Sequence, residues 1–167
     1  MARARVPAHS ADMRCWRILG VCAVVEKGET MVNAFSVSVE VAVTPDKAWA
    51  VIGDPCAVPR WYPTYVSCVV EGGVRTLRRA DGGEMVERLL ERDEAGYSYA
   101  YSVVSGVPLR SHRASFTVQP SEIGSRIIWH TEAEHEDPEI DMEARLADRQ
   151  REALQGLKTL LEAGHTA

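Results

Sequence analysis

The sequence predicts one α+β domain: a curved antiparallel sheet of about seven strands wrapped around a long C-terminal helix. Two short helices follow the first strand, and an internal cavity lies between sheet and helix. Three observations carry this. Apolar residues alternate with polar ones in successive short segments from Ala34 to Glu134. Glycine-rich turns join most of these segments, and strands linked so tightly are antiparallel neighbours. The C-terminal stretch then switches to helical spacing.

Ala34–Val43 opens the domain, with Phe35, Val37, Val39, Val41 and Val43 on one face. Thr44-Pro45 starts a helix, Thr44 as the cap and Pro45 at the first position, where a missing N–H is harmless. Ala48, Trp49, Val51 and Ile52 form its apolar face, and Gly53-Asp54-Pro55 ends it. A second short helix is predicted over Pro55–Arg60. Strands follow at Tyr65–Glu71, Val74–Arg79, Glu84–Glu91, Tyr97–Val104, Leu109–Gln119 and Arg126–Glu134. Their links are Gly72-Gly73, Asp81-Gly82-Gly83, Glu94-Ala95-Gly96, Gly106-Val107-Pro108 and the stretch from Pro120 to Gly124. A helix then runs from Pro138 to about Ala163. Leu146, Gln150, Ala153, Leu154, Leu157, Leu160 and Leu161 lie along one face, and Gly164 terminates it.

The 167 residues are 46% apolar and 26% charged, enough for a real core without disulfide staples. A net charge of −5 disfavours nucleic acid, since phosphate contact needs a basic stripe. Arg75, Arg78 and Arg79 sit in an alternating strand pattern and do not make one. Cys15, Cys22, Cys56 and Cys68 lack CxxC or zinc spacing. They read as free thiols in a reducing compartment, so the protein is expected in the cytoplasm. A Cys56–Cys68 bridge stays open but nothing demands it. His130, Glu132, Glu134, His135, Glu136 and Asp137 read as a solvated acidic patch, not a metal site. There is no phosphate-binding glycine motif before a helix and no G-x-S-x-G elbow. No metal or cofactor is expected. No apolar run reaches membrane-span length.

Residues 1–30 differ from the rest, with net charge +2 against −7 for the remainder. The apolar run Ile18–Val25 imitates a secretory signal, but no small-residue cleavage site follows, and Val21 spoils a lipoprotein match at Cys22. Glu26-Lys27-Gly28-Glu29 is encodable by the bacterial ribosome-binding consensus, and Met31 follows. Residues 1–30 are therefore read as an N-terminal extension, disordered or upstream of a natural start at Met31, with the domain over 31–167. An intact native mass equal to the full chain would contradict this.

The element order and four segments resemble the SRPBCC superfamily of START-like, helix-grip proteins, in its polyketide cyclase/dehydrase-like branch. The segments are Val37–Asp54 with Thr44-Pro45 and Trp49; Trp61-Tyr62-Pro63; Gly73-Val74-Arg75 with Asp81-Gly82, Glu87-Arg88-Leu89 and Asp93; and Tyr101–Val118 with Val107-Pro108-Leu109, continued by Trp129. The resemblance spans Val32 to Glu162. It implies a hydrophobic small-molecule ligand or substrate and a monomer or homodimer from bacterial secondary metabolism. It does not specify a substrate, because one scaffold hosts binding, transfer and catalysis. In resembling receptors the loops matching Asp81-Gly82-Gly83 and Gly106-Val107-Pro108 gate the pocket mouth, although tight hairpins demand glycine anyway.

Strand alternation assigns the inward residues. They are Arg75, Leu77 and Arg79; Met85, Glu87 and Leu89; Tyr97, Tyr99, Tyr101 and Val103; His112, Ala114, Phe116 and Val118; and Ile127, Trp129, Thr131 and Ala133. The resemblance supports the inward placement of Glu87. Trp61, Leu77, Leu89, Tyr99, Tyr101, Val103, Phe116, Trp129 and Leu157 are the candidate ligand-contacting residues. His112, Arg75 and Glu87 are the candidate catalytic set for a cofactor-free cyclase or dehydratase acting on a carbonyl substrate. His112 would move protons, Arg75 would stabilise an enolate or carboxylate, and Glu87 would orient them. Competing readings stand beside these. Arg75 and Glu87 form a buried ion pair, the tyrosines and Trp49 fill the core, and His112 is a satisfied core histidine. The protein is then a carrier that binds a hydrophobic ligand without chemistry.

Overall fold

The computed structural model describes residues 32–163. They form β1 (Asn33–Val41), α1 (Pro45–Ile52), a 3-10 turn (Val58–Arg60), β2 (Tyr65–Glu71), β3 (Val74–Arg79), β4 (Glu84–Asp93), β5 (Ser98–Ser105), β6 (Leu109–Ser121), β7 (Gly124–His135) and α2 (Met142–Ala163). One sheet takes all seven strands in the order β1-β7-β6-β5-β4-β3-β2, every pair antiparallel. Register breaks in β2, β4 and β6 mark bulges, which bend a strand and raise its twist, and the sheet curls accordingly. The alternation of Phe35, Val37, Val39 and Val41 places all four inside. Ala147, Ala153, Leu154, Leu157 and Leu161 of α2 close over that face. The helix is tied to β1 at its far end, where Lys158 donates to the Glu40 carbonyl at 2.9 Å and Glu162 accepts from Ala42 N–H at 2.9 Å.

Four expectations are corrected. The second short helix is a single 3-10 turn. Pro59 has no N–H to give, and its ring would clash with the carbonyl of Pro55 in a continuous α-helix. The long helix begins at Met142, not Pro138. Asp141 caps it, its carboxylate accepting from Ala144 N–H at 3.1 Å, while Glu139 N–H is turned onto Asp137. Thr44 holds the cap position of α1, but its hydroxyl bonds the Asp46 carboxylate and not the backbone. Cys56 and Cys68 are bonded to each other, so they are not free thiols. Cys15, Cys22, Met31, Gly164 and the 1–30 extension lie outside the described residues.

Gly156 sets the contact between α2 and the segment after the 3-10 turn. A β-carbon there would lie 2.3 Å from the Trp61 carbonyl oxygen, so only glycine lets Trp61 pack against the helix. No helix among the described residues is long and apolar enough to cross a membrane.

Candidate functional site

A cavity of about 300 Å³ lies between the concave face of β3–β7, the 3-10 segment and the first half of α2. That is the small end of the range for ligand pockets. Its depth is aromatic. Phe116 and Trp129 pack with centroids 4.7 Å apart, and Trp61 meets both edge-on. Tyr62 and Tyr65 continue the wall, edge to face at 5.4 Å.

Arg75 and Glu87 face each other across β3 and β4 and are 2% and 5% exposed. Arg75 Nε donates to Glu87, and Nη1 donates to the Pro55 carbonyl at 3.0 Å and toward the Tyr99 hydroxyl at 3.4 Å. The guanidinium also lies over Tyr101, 4.5 Å from its centroid. Burial alone would lower the Arg75 pKa, but Tyr99, Glu87 and Tyr101 together raise it, so the cation persists. Burial raises the Glu87 carboxyl above its usual range, and Arg75 opposes the rise by charge and hydrogen bond. Such a pair needs both partners, because either charge alone would be stranded in low dielectric. The Cys56–Cys68 bond holds the loop that carries the Pro55 carbonyl.

His112 sits where the sheet opens. The paired register of β5 with β6 stops at Tyr101 and Ala114, two residues short of setting Val103 opposite His112. Side chains replace the ladder there. Val103 N–H donates to His112 Nδ1 at 3.2 Å, and Ser102 Oγ donates to the His112 carbonyl at 2.6 Å. Burial pushes the His112 pKa down to about 4, so the ring is neutral near pH 7. With Nδ1 accepting, the proton of the neutral ring resides on Nε2, where the ring can donate.

Two other buried polar atoms on this wall lack partners among the described residues. They are Nε1 of Trp61 (4% exposed) and Oε1 of Gln150 (5% exposed). Gln150 already gives its Nε2–H to Thr131 at 2.9 Å. Tyr101 O accepts from Trp129 Nε1–H at 3.0 Å, which leaves its own proton to donate. Burial holds that hydroxyl well above its ordinary pKa.

Of the residues expected at the site, Arg75, His112, Trp61, Leu77, Tyr101, Val103, Phe116 and Trp129 line the cavity. Glu87, Tyr99, Leu89 and Leu157 do not. Glu87 and Tyr99 stand behind Arg75 as its partners, Leu89 is packed half-buried against the core, and Leu157 lies within it. Alternation settles which face a residue takes but not how far along the strand the cavity reaches. Of the two glycine turns, only the β5–β6 turn contributes, through Val107 and Pro108. Tyr62, Tyr65, His135, Met142, Arg145, Leu146 and Arg149 also line the cavity, and strand alternation does not point to them. Leu146 and Gln150 on one helical stripe were the available signal that α2 reaches the cavity.

A helix gripped by a curved sheet over an aromatic cavity defines a small-molecule-binding, START-like protein. The chain belongs to the polyketide cyclase / dehydrase and lipid transport family, whose model matches residues 33–162. Among solved structures, it is similar to the protein XoxI from Bacillus cereus, at 22% identity over 80% of this chain and 99% of that one, TM-score 0.72. A START superfamily protein from Mycobacterium smegmatis is 19% identical over 78% of this chain and 97% of that one, TM-score 0.65. A norcoclaurine synthase point mutant from Thalictrum flavum, in complex with a transition-state analogue, is 16% identical over 84% of this chain and 100% of that one, TM-score 0.67. At these identities the likeness is one of fold. No curated protein matches the sequence.

Proposed function

We propose that this protein binds a carbonyl-rich small molecule and promotes its cyclisation and loss of water, as a cyclase/dehydratase without a cofactor. The observation that carries the reading is the donor character of the wall. His112 Nε2–H, Trp61 Nε1–H, Tyr101 O–H and Arg75 all offer protons, and beside them Gln150 Oε1 is an acceptor without a partner among the described residues. Fixed donors in a water-poor site stabilise negative charge developing on a carbonyl oxygen. Holding a flexible chain folded in the cavity brings its ends to attack distance. His112 and Tyr101 hydrogen-bond the carbonyl under attack, Arg75 faces the enolate, and Glu87 positions Arg75. In this reading His112 acts as an electrophilic donor through Nε2–H.

The cavity lining among the described residues holds no Asp or Glu. His135 in the lining has its Nδ1 engaged, accepting from Asp137 N–H at 3.0 Å. The proton acceptor in this reading is solvent, which restricts the substrate to one whose C–H is already acid, such as a carbon flanked by two carbonyls. A short linear tetraketone tests this. Cyclisation with loss of one water gives a phenol, followed by ultraviolet absorbance. Saturable conversion, slowed at least about tenfold in His112→Asn, supports the proposal. The same lack of a base favours a second reading, a carrier. Saturable binding with the tetraketone recovered unchanged would assign that role. The cytoplasmic setting rested on free thiols, and with Cys56 bonded to Cys68 that argument no longer supports it.

A further inference from the structure

We infer that the ligand carries a carboxylate, bound at the cavity mouth by Arg145 and Arg149 with Arg79 beside them. This rests on the ligand-binding reading above and adds the charge of the ligand. The lining contains four arginines and two histidines and, among the described residues, no acidic side chain. In a chain of net charge −5 that concentration of positive charge is not a sample of the average surface. Deep in the site Arg75 is neutralised by Glu87, and Arg79 is paired with Asp81 at 3.2 Å. Arg145 and Arg149 have no ion pair among the described residues, and the nearby Asp148 is committed to Arg151 at 2.6 Å. They sit one helical turn apart on the exposed side of α2, beside Met142, Leu146 and Gln150 of the wall. Like charges at this spacing weaken a helix. Arg79, although paired with Asp81, lines the same cavity from β3, on the opposite wall. Arg149 also acts on the Tyr62 hydroxyl, as does the acidic Glu152 one turn further along. A planar carboxylate matches the guanidinium fork and relieves the repulsion. The ligand body then extends inward over Tyr62 and Tyr65 to the aromatic floor, its carbonyls reaching the donors there.

The test is calorimetric titration of the full chain with naphthoate and with its uncharged isostere naphthamide, in wild type and in Arg145→Gln/Arg149→Gln. The wild type should bind naphthoate about tenfold more tightly at low salt, a difference of roughly 1.4 kcal/mol. That preference should shrink as salt is raised. The double variant should bind the two probes within about twofold of each other and keep its naphthamide affinity. Binding of naphthamide without a naphthoate preference, or a preference that survives in the double variant, overturns the carboxylate assignment alone. Naphthyl phosphate bound tenfold tighter than naphthoate overturns it too. If a folded wild type binds neither naphthoate nor naphthamide, the ligand-binding reading falls and takes this one with it.

Discussion

Replacing His112 separates its two roles. Its Nδ1 accepts from Val103 N–H at 3.2 Å, and its Nε2–H is offered to the cavity. Asparagine puts Oδ1 near the place of Nδ1 and removes the donor at the Nε2 position, its own Nδ2–H2 lying short of it, whereas alanine removes both. An amide left without its partner costs about 1–3 kcal/mol, so His112→Ala should be less stable than His112→Asn by that order in urea at neutral pH. The wild type adds a pH signature. Its folded pKa of about 4 lies below the ordinary 6.5, so between those values the unfolded chain binds a proton that the folded chain refuses. The stability conferred by the neutral ring is therefore present above pH 6.5 and is lost as the pH falls through about 4. From pH 7 down to pH 4.5 the loss works out to roughly 2.5 kcal/mol. His112→Asn has no imidazole, and the carboxylates titrate alike in both proteins. The difference in unfolding free energy between wild type and His112→Asn should therefore move by about that amount in favour of the variant. A difference constant within about 0.5 kcal/mol would show that the ring is not held neutral and would remove the donor assignment.

Three further outcomes follow from the same geometry. Glu87→Ala strands the Arg75 cation and should cost about 3–5 kcal/mol in denaturant unfolding, while Arg75→Met/Glu87→Met together should cost clearly less. Reducing the Cys56–Cys68 bond, or replacing both cysteines by serine, frees a loop with a separation of 12 residues and should lower stability by about 3 kcal/mol. A melting temperature that ignores reductant would contradict the bond. Gly156→Ala forces Trp61 off the helix and should cost about 1–3 kcal/mol and weaken naphthamide binding, measured by calorimetry. Unchanged affinity would show that Trp61 does not shape the cavity.

The faces of the strands were readable because a period of two leaves little choice once one face is polar. Ile127, Trp129, Thr131 and Ala133 are all buried, as alternation requires. What could not be read is depth. Leu89 and Leu157 share faces with cavity residues but lie beyond the cavity, because its extent depends on where α2 crosses the sheet. The same crossing brings Arg145 and Arg149 to the mouth, and nothing local in their sequence distinguishes them from solvated arginines. The tautomer of His112 was equally hidden, since it follows from the ladder between β5 and β6 ending at Tyr101. The Cys56–Cys68 bond depends on β2 folding back beneath the 3-10 segment, and the twelve-residue spacing alone does not require it.

The central claim is that a carbonyl ligand enters this cavity and accepts from its buried donors. The most direct measurement is an amide and indole spectrum of the nitrogen-labelled protein, titrated with acetylnaphthalene. Saturable shifts are expected at the Trp61 indole N–H, which has no partner among the described residues, and at the Trp129 indole and the Val103 amide. The Trp49 indole, held by Glu94 at 2.7 Å outside the cavity lining, should stay still. Shifts confined to Trp49 and the surface, or none that saturate, would show that no carbonyl ligand enters the cavity.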